Sequence, residues 1–240
     1  MRLDKFLADA GIGTRSEVKT AVRKKFVSVN GCVVTDPGTS VSETDIILYK
    51  ERPVSGSKPG YYLMNKPAGC VCANKDNSKT VFDLMSPQER KGLFTVGRLD
   101  KDTEGLLLLT DDGAFAHALT SPRRHVDKTY YFEGDGVLAE QAVLKAEEGL
   151  DIGDDKPTKP AKLVILSNDT KNRRVTGTLT ISEGRYHQVK RMMAKLGVMI
   201  TYLKRLSIGG LCLDETLLPG SYRPMTEEEL AMVQTEREKE

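Results

Sequence analysis

The segment Gly97-Arg98-Leu99-Asp100-Lys101-Asp102-Thr103-Glu104-Gly105 contains the residues of this chain best placed to do chemistry. Asp100 follows an arginine and precedes the apolar run Leu106-Leu107-Leu108-Leu109, so its carboxylate stands at the mouth of a loop leading into a buried strand. A carboxylate in that position can attack an electrophilic carbon or take a proton. The leucine run is bounded by Gly105 and by the turn-forming Asp111-Asp112-Gly113, which suits a central strand, although a run this short also fits a helix. On spacing alone, Asp100 and Asp102 read equally well as solvated turn acids with Arg98 as a surface neighbour.

From Tyr61 onward, short apolar runs alternate with turns. The pattern predicts strands over 61–64, 94–97, 106–110, 128–132, 161–166, 173–181 and 200–208, and helices over 81–84, 114–119, 139–148 and 186–196. Many strands with fewer, irregularly placed helices indicate an α+β domain built on a mixed, mainly antiparallel sheet with flanking helices. No Gly-rich phosphate loop is present, so no nucleotide cofactor is expected.

The first fifty residues read as a unit of their own. Leu3, Phe6, Leu7 and Ala10 have helical spacing, and Gly11-Ile12-Gly13 breaks it. A second helix opens at Thr14-Arg15-Ser16-Glu17, capped by Thr14 with Glu17 or by Ser16. Val27-Ser28-Val29 and Cys32-Val33-Val34 flank Asn30-Gly31, a hairpin-turn dipeptide. The expected result is a small αα-β-hairpin module. Arg2, Lys5, Arg15, Lys19, Arg23, Lys24 and Lys25 cluster on its helical part, where they would line an RNA backbone. Residues 51–60, rich in proline, glycine and serine, read as a linker, which leaves 61–240 as the larger, catalytic domain.

A hydrophobic fraction of 39% and a charged fraction of 29% over 240 residues are ordinary for a globular protein with a real core. The formal net charge of +2 conceals a basic stretch. Between 173 and 205, Arg173, Arg174, Arg185, Lys190, Arg191, Lys195, Lys204 and Arg205 face one acid, Glu183. No apolar run approaches the roughly 20 residues of a membrane helix, and residues 1–5 lack a signal-peptide pattern, so a cytoplasmic protein is expected. Cys70 and Cys72 form the only close cysteine pair, with no second pair at zinc-like spacing, and His117, His125 and His187 form no ligand set. Reduced structural cysteines and no metal are expected.

The string from Gly97 to Thr110 resembles the catalytic motif of the pseudouridine synthases, in particular the branch that modifies single uridines in ribosomal RNA. Three further segments carry the same resemblance in family order: Tyr62-Leu63-Met64-Asn65-Lys66-Pro67-Ala68-Gly69, then Asp127-Lys128-Thr129-Tyr130, then Ile181 through Met192. Arg15-Ser16 and Val27 through Gly31 resemble an S4-like RNA-binding module.

The resemblance implies isomerisation of uridine without a cofactor, with Asp100 as nucleophile or base. Arg98 would assist base flipping. Lys190 would face the catalytic acid, or serve as one of several phosphate-binding cations. Tyr130 would stack on the base, the alternative being a core tyrosine, and Val189 would floor the pocket. Arg185, Tyr186, His187 and Gln188 would supply polar contacts, and Arg191 would touch RNA. Cys70-Val71-Cys72, Ile208-Gly209-Gly210 and residues 219–229 look closest to the small-subunit (16S) rRNA enzymes, with large-subunit (23S) rRNA as the alternative target. The expected partner is ribosomal RNA within an assembly intermediate, bound by a monomer. A reading from another class, an inactive RNA-binding or ribosome-assembly factor, is opposed by the intact set of Asp100, Tyr130 and Lys190.

Overall fold

The computed structural model describes residues 1–42, 44–54, 59–121 and 123–235. The chain divides into two compact units, Met1–Pro59 and Gly60–Glu240. Residues 55–58, central to the stretch read as a linker, lie outside the described residues.

The N-terminal unit opens with helices α1 (Leu3–Asp9) and α2 (Arg15–Arg23). Thr14 is the residue that caps α2. Its Oγ1 accepts from Glu17 N, and the Glu17 carboxylate accepts from Thr14 N at 2.7 Å, a reciprocal capping box. Strands β1 (Val27–Val29), β2 (Cys32–Val33), β3 (Ile47–Tyr49) and β4 (Arg52–Pro53) follow, in sheet order β2-β1-β3-β4. Asn30 and Gly31 both have positive φ (51° and 81°), as the tight hairpin turn requires. The sheet extends past the expected hairpin, and β4 uses Arg52-Pro53 from the start of the stretch read as a linker. Leu3, Leu7, Val18, Val22, Val27 and Ile47 form the core.

The second unit runs β5 (Tyr61–Lys66), a 3-10 turn (Val81–Leu84), β6 (Phe94–Thr95), β7 (Glu104–Thr110), α3 (Gly113–Thr120), β8 (Lys128–Gly136) and α4 (Ala142–Glu148). It continues through β9 (Lys162–Asp169), β10 (Arg174–Ile181), α5 (Gln188–Lys195), β11 (Val198–Ile208), β12 (Leu211–Cys212), β13 (Tyr222–Pro224) and α6 (Glu227–Thr235). The main path of the sheet is β13-β5-β7-β11-β8-β10-β9, with β6 on β7 and β12 on β11. The pairing of β7 with β11 is parallel, and the others are antiparallel. This is the mixed, mainly antiparallel sheet of an α+β domain.

Strand β7 is covered on both faces, which is why its sequence is a continuous apolar run rather than an alternating one. Leu107 and Leu109 join Met64, Phe132 and Val189 in one core, while Leu106 and Leu108 join Leu63, Phe115 and Ile208 in the other. At its start, Gly105 has φ +99°, and a Cβ there would lie 2.2 Å from the Arg205 carbonyl oxygen. Only glycine lets β11 approach so closely. Helix α5 begins at Gln188 instead of Tyr186, because His187 takes a left-handed conformation (φ 48°, ψ 33°). Helix α4 likewise begins at Ala142, three residues after the expected start.

Candidate active site

Asp100 lies in the short loop before β7, and three residues of the 66–72 stretch fix that loop. From β5, the Lys66 side chain is wholly buried and directs its ammonium at backbone carbonyls: Thr103 at 2.8 Å, Pro67 at 3.0 Å and Lys101 at 3.3 Å. Burial pulls its pKa down from the ordinary lysine value. The buried Cys72 thiol accepts a hydrogen bond from Leu99 N at 3.4 Å, and burial pushes that thiol's pKa up. Gly69 N donates to the Lys101 carbonyl at 2.7 Å. The loop is thus stapled to the β5 end of the unit by its main chain, leaving the Asp100 side chain to face a cleft. All four cysteines are free thiols.

The cleft has a volume of about 580 Å³, within the range of small-ligand sites. Asp100, about one-quarter exposed, stands at its edge with Arg98, while Tyr130 of β8 and Val189 of α5 contribute to the wall. Lys190 and Arg185 also line it, so the expected substrate-contacting set converges on one cavity. Lys190, in the first turn of α5, places its ammonium 3.2 Å from Asp100 and 2.6 Å from Asp102. Burial lowers the lysine's pKa, but its two acid partners outweigh that and raise it. Burial raises Asp102, yet the bond and charge from Lys190 hold it below the ordinary carboxylate value. His187 Nε2 is 3.4 Å from the other Asp100 oxygen, and its ring stacks on the exposed Tyr186 ring at 3.9 Å.

Several cations of the basic stretch are committed to the protein itself. Arg185 bonds the carbonyls of Lys156 and Pro157 at 2.6 and 2.7 Å and the Glu183 carboxylate at 3.2 Å. Arg191 donates to the Ile152 and Tyr186 carbonyls and pairs with Asp154 at 2.6 Å. These two guanidiniums clamp the 152–157 loop against the turn leading into α5. In the N-terminal unit, Arg15, Arg23 and Lys24 are exposed and Lys5 and Lys19 half-buried, while Arg2 is exposed with a bidentate bond to Asp4.

Sequence reading passed over Lys66 and Arg205. Arg205 is buried on β11 and also lines the cleft, its Nε bonded to the Leu106 carbonyl at 2.8 Å. A β-bulge between Arg205 and Ser207 shifts the strand's phase, so that Ile208, three residues along, faces the same cavity. Among the described residues, no helix is long and apolar enough to cross a membrane.

Comparison with known proteins agrees with this arrangement. Residues 60–195 match the RNA pseudouridylate synthase family, and residues 1–47 match the S4 domain. The chain is 44% identical over 236 residues to an uncharacterized RNA pseudouridine synthase of Bacillus subtilis, covering 97% of this chain and 98% of that one. It is 42% identical to the ribosomal small subunit pseudouridine synthase A of Haemophilus influenzae (96% and 98% covered) and 40% identical to that of Escherichia coli (97% and 100% covered). A crystal structure of a pseudouridylate synthase superposes with a TM-score of 0.70 at 41% identity, covering 97% of this chain and 99% of that one. An S4 domain followed by an isomerase domain with a stapled acid loop places this chain among the RNA pseudouridine synthases, in the family's small-subunit branch.

Proposed function

We propose that this enzyme converts a uridine of small-subunit (16S) ribosomal RNA to pseudouridine, with Asp100 as the catalytic residue acting on a nucleotide flipped into the cleft. The observation that carries the reading is the Asp100 carboxylate at the edge of a cavity of about 580 Å³, with Lys190 at 3.2 Å and His187 at 3.4 Å. The lysine sets a positive charge against the carboxylate oxygen that would attack the ribose or take a sugar proton, and so aims it into the cleft. Arg98, at the same edge, fills the gap left by the extruded base or grips a neighbouring phosphate, and Tyr130 and Val189 pack on the uracil. The S4 domain's surface cations supply phosphate affinity. The choice of target is supported by the small-subunit names of relatives that match over nearly the whole chain. The substrate form is an assembly intermediate, in which the uridine is still accessible.

The test is incubation with unmodified small- and large-subunit rRNA, naked and as assembly particles, followed by carbodiimide labelling and primer extension. One new stop in small-subunit RNA that disappears with Asp100→Asn is expected. A stop in large-subunit RNA instead keeps the reaction and overturns the target, and no stop in any form returns the chain to an RNA-binding role.

A further inference from the structure

The cleft contains a second charged feature that the Asp100 and Lys190 pair does not use. Arg205 is only 2% exposed and pairs in register with Tyr130 on one side and Gly105 on the other. Apart from the Nε bond to Leu106, its guanidinium has no partner among the described residues, and Nη2 is fully buried. Lys128, two residues before Tyr130 and so on the same face of β8, lines the same cavity and donates to the Val126 carbonyl at 2.6 Å. Among the described residues, neither cation has a carboxylate within ion-pair distance, whereas Arg185, Lys190, Arg191 and Arg223 all do.

That arrangement is costly without a ligand. A buried N–H left unpaired costs about 1–3 kcal/mol, and two neighbouring cations repel. Burial and then the charge of Arg205 pull the Lys128 ammonium down to about 8. Both costs fall when negative charge arrives. The cavity wall includes Val189, Leu203, Ile208 and the Tyr130 ring, which suits the flat apolar faces of a base better than a phosphate.

We infer that Arg205 and Lys128 form an anion-stabilising end of the cleft, donating to the uracil oxygens as the bond between base and ribose breaks. The inference rests on the function proposed above. When the C1′–N1 bond cleaves, its electron pair leaves with the base, and the charge spreads over N1, O2 and O4. After the ring turns, C5 uses an electron pair to bond C1′, the C5 proton is released and N1 takes up a proton, so the product is an isomer. Donors prepositioned where charge develops favour the transition state over the ground state.

The experiment compares wild type, Arg205→Gln and Lys128→Met in single turnover on small-subunit transcripts carrying uridine or 5-fluorouridine, read as breakage of the C1′–N1 bond at the target. The fluorinated base is the stronger acid and leaves with less assistance. Each variant is expected to slow the uridine reaction by roughly 100-fold, with RNA affinity held within about threefold and a defect at least about tenfold smaller on the fluorinated transcript. Equal defects on both transcripts, or a loss confined to RNA affinity as phosphate binding would give, overturn the inference. Where circular dichroism shows Arg205→Gln unfolded, the half-buried Lys128→Met variant decides alone. Failure of the wild type to isomerise uridine would instead count against the underlying function, which separates the two failures.

Discussion

Lys190 reaches out of the first turn of α5 to hold its ammonium 3.2 Å from the Asp100 carboxylate. Lys190→Met removes the cation that pairs with this carboxylate and holds it in place, and should lower the single-turnover rate by roughly 100-fold. Lys190→Arg should recover most of that loss, since the charge persists. A lysine that served only to bind phosphate would show its loss in the salt dependence of RNA affinity, with the rate intact.

Asp102 competes for the same lysine at 2.6 Å, but its side chain is 72% exposed. Asp102→Asn leaves Lys190 wholly to Asp100 and should keep activity within about fivefold, roughly 1 kcal/mol of barrier. Asp100→Asn should abolish turnover. Inactivity of the Asp102 variant alongside an active Asp100 variant would exchange the two roles.

The Lys66 ammonium satisfies three carbonyls from within the interior. Lys66→Met keeps the volume but leaves the Thr103 carbonyl unpaired there. A loss of about 2–4 kcal/mol in urea unfolding is expected. The single-turnover rate should fall with RNA affinity unchanged, because the loop that aims Asp100 loosens.

Lys128 titrates near 8 in the fold against 10.5 for an ordinary lysine. Between those values the unfolded chain binds more protons than the native state, so this group makes stability rise with pH across that window. The full contribution is at most about 3 kcal/mol. Lys128→Met should abolish that slope and be more stable than wild type at pH 7, while losing activity. Urea titrations of both proteins from pH 7 to 10 measure the difference, and parallel curves would refute the assignment.

Deleting residues 1–59, a unit with its own core, removes the S4 domain together with Arg2, Arg15, Arg23 and Lys24, the cations proposed to bind phosphate. RNA affinity should drop, and the slope of log affinity against log salt should shrink by about 0.7–0.9 for each phosphate that is no longer neutralised. The rate at saturating RNA should be little changed. An unaltered slope would remove the N-terminal cations from the interface.

The legible parts of this protein were those where one residue type has one structural use. An apolar run between turn signals marked β7, and Asn30-Gly31 marked the hairpin turn. The position of Asp100 in the loop before that strand followed from the same run, but spacing alone did not tell a cleft acid from a solvated turn acid. Charged residues inside strands were opaque, because a lysine in sequence looks solvated whether or not backbone carbonyls await it. Lys66 and Arg205 acquire meaning only from partners at 101–103 and 106, far away in sequence. Arg185 and Arg191 show the converse: sequence reading gives them to substrate and RNA, while the fold gives both guanidiniums internal acceptors. The two-residue delay of α5 was equally hidden, since a left-handed histidine leaves no compositional mark.

The parallel seam of β7 and β11 joins segments about a hundred residues apart, with the Tyr202 hydroxyl donating to Glu104 98 positions before it. Asp100 precedes one strand of that seam and Lys190 precedes the other. Antiparallel neighbours such as β8 and β10 can zip without it, but Asp100 and Lys190 cannot meet until this long-range pairing has closed. On the ribosome, the acid therefore waits for the last third of the chain to emerge, and a nascent fragment ending before α5 carries the motif without the chemistry. In refolding, recovered activity should trail recovered secondary structure, because the site is assembled across a long-range pairing.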